Sequence, residues 1–311
     1  MQARVRTMNG ARADGQSIVR WVNKNKTGFL FVLPALIFYT IFFVVPLLDT
    51  IYYSFVRWNG ASPVKQWIGL ANYAQMFQDS QLWNAFQHNL IWVIVGTAAP
   101  IAIALPLALL VTSVSRGRLF FQTAYFMPHI LSNVVVAVIW GWIYSPQFGL
   151  LNALLRSVGL ESLTRGWLGN PSTALFAIIA AAVWNYLGFC LVIFVAGLQD
   201  VDVTLIEAAK MDGANGLQQF FHIIIPEMRN VLNMVIVYTL IGGFNVFDIV
   251  RVMTDGGPAG ATELIGTYAY KMSFRTSNIG YGATISMLIM VLSLVTSIIY
   301  NYLRDREEVV R

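Results

Sequence analysis

The residues able to do chemistry in this chain are few, and their spacing rules out most chemistries. His88, His129 and His222 lie far apart and lack metal-ligand spacing, so no metal site is expected. The single cysteine, Cys190, sits in an apolar run and has no partner for an intramolecular disulfide. A phosphate-binding loop needs Gly-Lys-Ser/Thr, and none of Lys24, Lys26, Lys65, Lys210 or Lys271 follows a glycine. The glycine-rich Asp255-Gly256-Gly257-Pro258 has no lysine in the right place and reads as a turn. What remains is a set of polar and small residues inside apolar stretches. His129 and Asn133 are four apart, which predicts one face of a helix; Asn185 and Tyr186 are adjacent; Thr239 precedes Gly242 and Gly243. Such groups are costly in hydrocarbon, so they either line a pathway or hydrogen-bond between helices. Asp248 and Arg251 are three apart and are expected to pair along a helix.

The elements that must carry these residues are membrane helices. Apolar residues make up 57% of the 311 and charged residues only 11%, against about 25% charged in soluble domains. Six stretches are long enough to cross about 30 Å of hydrocarbon: Phe29 to Leu48 (continuing toward Phe55), Leu90 to Val114, Thr123 to Tyr144, Thr173 to Gln199, Val231 to Met253, and Tyr281 to Leu303. The net charge of +5 forms no stripe or motif for nucleic acid. Instead the basic residues fall between spans. Arg4, Arg6, Arg12, Arg20, Lys24 and Lys26 precede the first, and Arg116, Arg118, Lys210, Arg229, Arg304, Arg306 and Arg311 follow even-numbered crossings. That bias predicts an all-α polytopic protein with six transmembrane helices and both termini in the cytoplasm. The expected organisation is a basic cytoplasmic segment (1–28), a transmembrane domain (29–303) and a short charged tail (304–311). The first run is too long for a signal peptide and lacks a small-residue cleavage site. Two segments outside the spans, Gly69 to Phe77 and Leu150 to Val158, carry apolar residues at helical spacing and suggest interfacial helices.

One cytoplasmic loop, 201–230, differs from the rest. Thr204 followed by Glu207 reads as a capping box that starts a helix, and Gly213 suits the left-handed conformation that ends one. A second short helix is expected through Phe220 and Phe221, with a break or fresh start at Pro226. Ala208 and Ala209 keep one face small, while Glu207 and Asp212 offer negative charge to a basic partner.

Glu207-Ala208-Ala209, three residues, Gly213, nine residues, Ile223, one residue, Ile225 and Pro226 resemble the EAA loop of ABC importer permeases. Trp67-Ile68-Gly69-Leu70-Ala71-Asn72-Tyr73, Met127-Pro128, Phe148-Gly149-Leu150-Leu151-Asn152, Phe244-Asn245-Val246-Phe247-Asp248 and Thr254-Asp255-Gly256-Gly257-Pro258 narrow the resemblance to carbohydrate permeases of the maltose type. The resemblance implies a membrane subunit of the bacterial or archaeal inner membrane, without an ATPase site or cofactor of its own. ATP and Mg would be bound by a separate ATPase dimer docked on Glu207, Ala208, Ala209, Asp212, Gly213, Ile223 and Pro226. It also implies a second permease subunit, forming a heterodimer, and an extracytoplasmic solute-binding protein. The positions of His129, Asn133, Asn185, Tyr186, Thr239, Gly242 and Gly243 resemble the family's central cavity, where a sugar would be held by hydroxyl hydrogen bonds and aromatic faces. The alternatives are a permease of the same kind for a non-sugar solute and an ion-driven secondary transporter. The latter usually buries carboxylates mid-membrane, whereas Asp49 and Asp248 fall toward predicted helix ends.

Overall fold

The computed structural model describes residues 26–309 apart from Ser115. Of the predicted basic segment, residues 1–25 lie outside the described residues, as do 310 and 311 of the tail. The chain divides into two units at Tyr52. In the first, α1 (Lys26–Tyr39) passes through a π-helical turn at Thr40–Val44 into α2 (Val45–Ser54). Pro46 follows just after the π-helical turn. Most of the apolar residues from Leu30 to Leu48 are exposed, Val44 being half-buried.

The second unit opens with a two-stranded ribbon, β1 (Val56–Arg57) against β2 (Gln66–Trp67), antiparallel with Val56 opposite Trp67. Helix α3 (Ala71–Gln78) follows, then α4 (Ser80–Ser113), α5 (Arg118–Ile130), α6 (Asn133–Ile143), α7 (Leu150–Ser157) and α8 (Pro171–Gly197). After these come α9 (Val203–Met211), α10 (Gly216–Gln219), α11 (Ile225–Glu227), α12 (Arg229–Phe244), α13 (Asp248–Met253), α14 (Ile265–Tyr270) and α15 (Ile279–Val309). Four helical runs are long and apolar enough to cross a membrane, and six segments are if each of two bent pairs counts as one span.

Two helix breaks correct the sequence reading; the second bent pair, Gly216–Glu227 with Arg229–Phe244, turns by 73° just before the predicted fifth span and is separate from them. The predicted third span, Thr123 to Tyr144, is not one helix. It ends at Ile130, and Ser132 caps a new helix by accepting from the N–H of Val135, with a 97° bend between the two. His129 and Asn133 therefore lie on different helices and share no helical face. The predicted fifth span, Val231 to Met253, also breaks. Helix α12 stops at Phe244 and α13 begins at Asp248, with Asn245-Val246-Phe247 between them. Arg251 pairs with Asp255, one turn further on, and Arg275 holds the other oxygen of that carboxylate, so the expected Asp248–Arg251 pair is absent among the described residues.

Both segments predicted to be interfacial are helices. In α7 the apolar Leu150 and Leu154 are exposed, and it is Asn152 that turns inward. Its amide donates to the carbonyl of Arg165 at 3.0 Å, and its carbonyl accepts from the Trp167 indole at 2.9 Å. Leu70, just before α3, and Phe77 within it stay exposed, while Asn72 and Met76 are buried. Asn72 donates to the carbonyls of Ser54 and Val56 at 3.0 and 3.1 Å, tying the ribbon to the bundle.

Helices α4 and α8 run in the same direction and α12 runs against them. Near their starts, Trp92 packs with Leu175, Ile178 and Ala181. Near their ends, Ala104, Leu105 and Ala108 pack with Leu191, Phe194 and Met228, the residue that leads into α12. Asn89, fully buried, donates to the carbonyl of Gly243 (3.0 Å) and accepts from the N–H of Ile265 (3.1 Å), fastening α4 to α12 and α14. The loop 201–230 thus lies at the end of the bundle opposite α3 and the ribbon.

At that opposite end Asp79 is a clasp. It caps α4 by accepting from the N–H groups of Gln81 and Leu82, and its other oxygen accepts from the hydroxyls of Tyr268 (2.7 Å) and Tyr281 (2.6 Å). Burial alone would raise its pKa, but the bonds from Tyr281, Tyr268 and the two backbone groups outweigh it and hold the carboxyl below 3.8. A group with a depressed folded pKa stabilises above its unfolded value and loses that contribution as pH falls through the folded one. Asp79→Ala removes the cap and leaves two buried phenols unpaired, an expected loss of roughly 2–3 kcal/mol at neutral pH. Melting of the detergent-solubilised protein checks this: the gap between wild type and variant should shrink as pH drops below about 4.

Candidate functional site

Two places in the second unit gather the sequence-predicted residues. The first is a cavity of about 240 Å3 between α4, α6, α8 and α12. Asn133, Asn185, Tyr186, Thr239, Gly242 and Gly243 all line it. Asn133 reaches it because Ser132 restarts the helix there after the bend. Asn185 donates to the carbonyl of Pro128 at 2.6 Å, a bond that spends part of its amide on holding α5 against α8. The Tyr186 hydroxyl is enclosed and has no hydrogen-bond partner among the described residues. His129 is not among the lining residues and packs with the rings of Phe126, Tyr186 and Phe189 at 5.1–5.6 Å.

The two glycines play different parts. A methyl group added at Gly243 would press on Val93 of α4 at 3.0 Å, so this glycine lets two helices approach. One added at Gly242 would meet nothing within 4 Å and would occupy open space. The structure adds Trp92, Asn245, Phe247 and Asp248 to the lining, none of them singled out as pathway residues from the sequence. The signal for three of them was the break at Asn245-Val246-Phe247, which an unbroken apolar span conceals.

The second place is the loop 201–230. Helix α9 begins one residue before the predicted capping box. Asp202 is the cap, accepting from the N–H and the hydroxyl of Thr204 at 2.8 and 2.7 Å, and these bonds lower its pKa. Thr204 and Glu207 therefore form no capping box. Gly213 has φ +85°, and the helix closes with Ala214 N–H donating to Ala209 and Gly213 N–H donating to Lys210, a complete Schellman ending. A true capping box opens α10, where Asn215 and Gln218 exchange bonds of 2.8 and 2.9 Å. Phe220 and Phe221 continue it as a π-helical turn, and Pro226 occupies the first turn of α11.

Ile206 packs into the core beside Leu191 and Met228, which fixes the orientation of α9. Glu207, Ala208, Asp212 and Gly213 are then exposed, and Ala209, Ile223 and Pro226 are half-buried. Met211 (88% exposed), Leu217 and Phe221 add uncovered apolar surface alongside. Capped at both ends, stiff and bearing apolar and acidic groups together, this surface is built to meet another protein.

Residues 104–309 match the family model described as the binding-protein-dependent transport system inner membrane component. The chain belongs to that family. This permease is 35% identical over 280 residues to the probable ABC transporter permease protein YurN of Bacillus subtilis (strain 168), covering 89% of this chain and 96% of that one. It is 31% identical to the trehalose/maltose transport system permease protein MalF of Thermococcus litoralis, over 88% and 92% of the two chains. Its fold matches that of a bacterial ABC transporter involved in the import of the acidic polysaccharide alginate, with a TM-score of 0.79 at 23% identity over 93% and 99% of the chains. The permease is therefore a membrane subunit of a binding-protein-dependent ABC importer, with a mostly helical architecture.

Proposed function

We propose that this permease moves a sugar or sugar-like solute through the cavity between α4, α6, α8 and α12. The observation that carries the reading is the lining. Trp92, Tyr186 and Phe247 offer aromatic surface, and Asn133, Asn185, Asn245 and Thr239 offer amide and hydroxyl groups. Sugars present apolar C–H faces and many hydroxyls, and this combination meets both. The likeness to a trehalose/maltose permease supports the same class.

In this reading the chain spans the inner membrane of a bacterium or archaeon six times, the bent pair α5–α6 forming one span and α12 supplying another, with both termini cytoplasmic. The loop 201–230 then faces the cytoplasm and receives a separate ATPase dimer, which binds ATP and Mg. A solute-binding protein delivers the solute on the other side, and a second permease subunit completes the pathway. The exposed acidic and apolar surface of α9 and α10 supports the docking role.

The test is ATP hydrolysis by the complex reconstituted in proteoliposomes with its binding protein and a panel of sugars. Hydrolysis and uptake stimulated by one sugar, only when its binding protein is present, is the expected result. Stimulation by an amino acid or peptide would overturn the sugar class. Uptake without ATP would overturn the ATP-driven reading.

A further inference from the structure

We propose that Asp248 sets the charge class of the solute, making the cavity accept neutral polyhydroxyl compounds and turn away anions. The inference rests on the translocation reading above and narrows it. Asp248 is the first residue of α13 and lines the cavity beside Asn133, Asn185 and Asn245. It alone among the lining residues carries a charge.

Nearby basic groups do not neutralise it. Arg251 is held by Asp255 and lies over the ring of Tyr270 at 4.9 Å. Arg275 pairs with the same Asp255 at 2.5 Å, and Lys271 pairs with Glu263 at 3.5 Å. Asp248 is exposed, makes no ion pair and accepts no side-chain hydrogen bond among the described residues. Asp79, Asp202 and Asp255 are each paired or capped. Asp248 is left open toward the cavity instead.

An open carboxylate accepts hydroxyl hydrogen bonds of the stronger, charge-assisted kind. In a confined, partly apolar space it also repels a second negative charge far more than it would in bulk water. A phosphorylated or carboxylated sugar would meet that repulsion with no cation in the lining to offset it. A neutral sugar would gain an acceptor.

A test that does not require the solute reads the field directly. Asn245→Cys places a thiol in the lining, and the native Cys190 is fully buried. The full complex is treated with the cationic trimethylammonioethyl and the anionic sulfonatoethyl methanethiosulfonates. Modification of this chain is followed by mass spectrometry, and each rate is divided by that of 2-mercaptoethanol. The cationic reagent is expected to be favoured by about tenfold, and the preference should fall to near unity when Asp248→Asn or Asp248→Ser is added. Equal normalised rates with Asp248 intact, or a preference that survives both second substitutions, would overturn the charge inference and leave the pathway reading standing. Labelling by neither reagent would overturn both, since water would then not reach the cavity.

Discussion

Glu207→Lys and Gly213→Pro are each expected to abolish ATP-dependent uptake while the protein still reaches the membrane. Glu207 is exposed on α9 and its side chain makes no hydrogen bond or ion pair among the described residues, so the fold does not depend on that side chain. Reversing its charge against a basic partner costs about 2–5 kcal/mol of association, enough to release an ATPase held by a modest interface. Gly213 acts through geometry instead. Its φ of +85° is closed to proline, whose φ is fixed near −65°, and its N–H is the donor to Lys210 that closes α9. The substitution re-aims α10 relative to α9 and costs roughly 3 kcal/mol in the loop alone. The Ile206 anchor and the bundle behind it stay in place. Copurification of the ATPase and binding-protein-stimulated hydrolysis are the measurements. Both should fall more than tenfold for either variant, with an unchanged elution profile for Glu207→Lys. Normal stimulation in both variants would remove the docking role from this loop.

What the sequence revealed and what it concealed follow from how far apart the interacting residues are. Gly213 ends its helix as its type and position suggest, because a Schellman closure involves only the last turn and one residue with positive φ. The start of the same helix was misplaced by two residues, the cap being Asp202 rather than Thr204. Asp202 and Thr204 are both competent caps, and the carboxylate wins by accepting two bonds from Thr204 itself. The broken third and fifth spans were harder to see. In a chain whose spans are apolar on every side, hydrophobic periodicity carries no boundary information. Ser132-Asn133 in one break and Asn245 in the other are short polar interruptions in long apolar runs. The pairing of Arg251 was a choice between a carboxylate three residues before it and one four residues after, and the turn at Asp255-Gly256 decides it. The Asp79 clasp draws on Tyr268 and Tyr281, separated from it by 189 and 202 residues, and no local pattern announces such a contact. The lining of the cavity was legible in part for the same reason. Polar residues inside spans could be recognised one at a time, but Trp92 and Asp248 join them only through the folded arrangement.

Gly188→Ala is expected to be the most damaging single methyl group in the bundle, and its comparison with Gly242→Ala separates packing from transport. Gly188 is buried in α8 where α5 crosses it, and a Cβ there would overlap the backbone of Tyr125 and Phe126. Backbone cannot rotate out of the way as a side chain can, so α5 must move off α8. That movement breaks the 2.6 Å bond from Asn185 to Pro128 and shifts the bend that delivers Asn133 to the cavity. Overpacking of this kind costs about 1–3 kcal/mol, and the lost bond leaves a buried amide short of an acceptor for about 1–3 kcal/mol more. The expected outcome is a large drop in the yield of monodisperse protein and in melting temperature. Gly242 lies in a helix too, but an added methyl meets only open space. Alanine there should leave folding intact or improve it by about 0.5–1 kcal/mol through the lower entropy of the unfolded chain. Because Gly242 lines the cavity proposed to carry the solute, uptake should nonetheless fall. A stable Gly242→Ala protein with unchanged transport would place the solute path elsewhere. A Gly188→Ala protein as stable as wild type would mean that α5 and α8 are not packed this closely in the membrane.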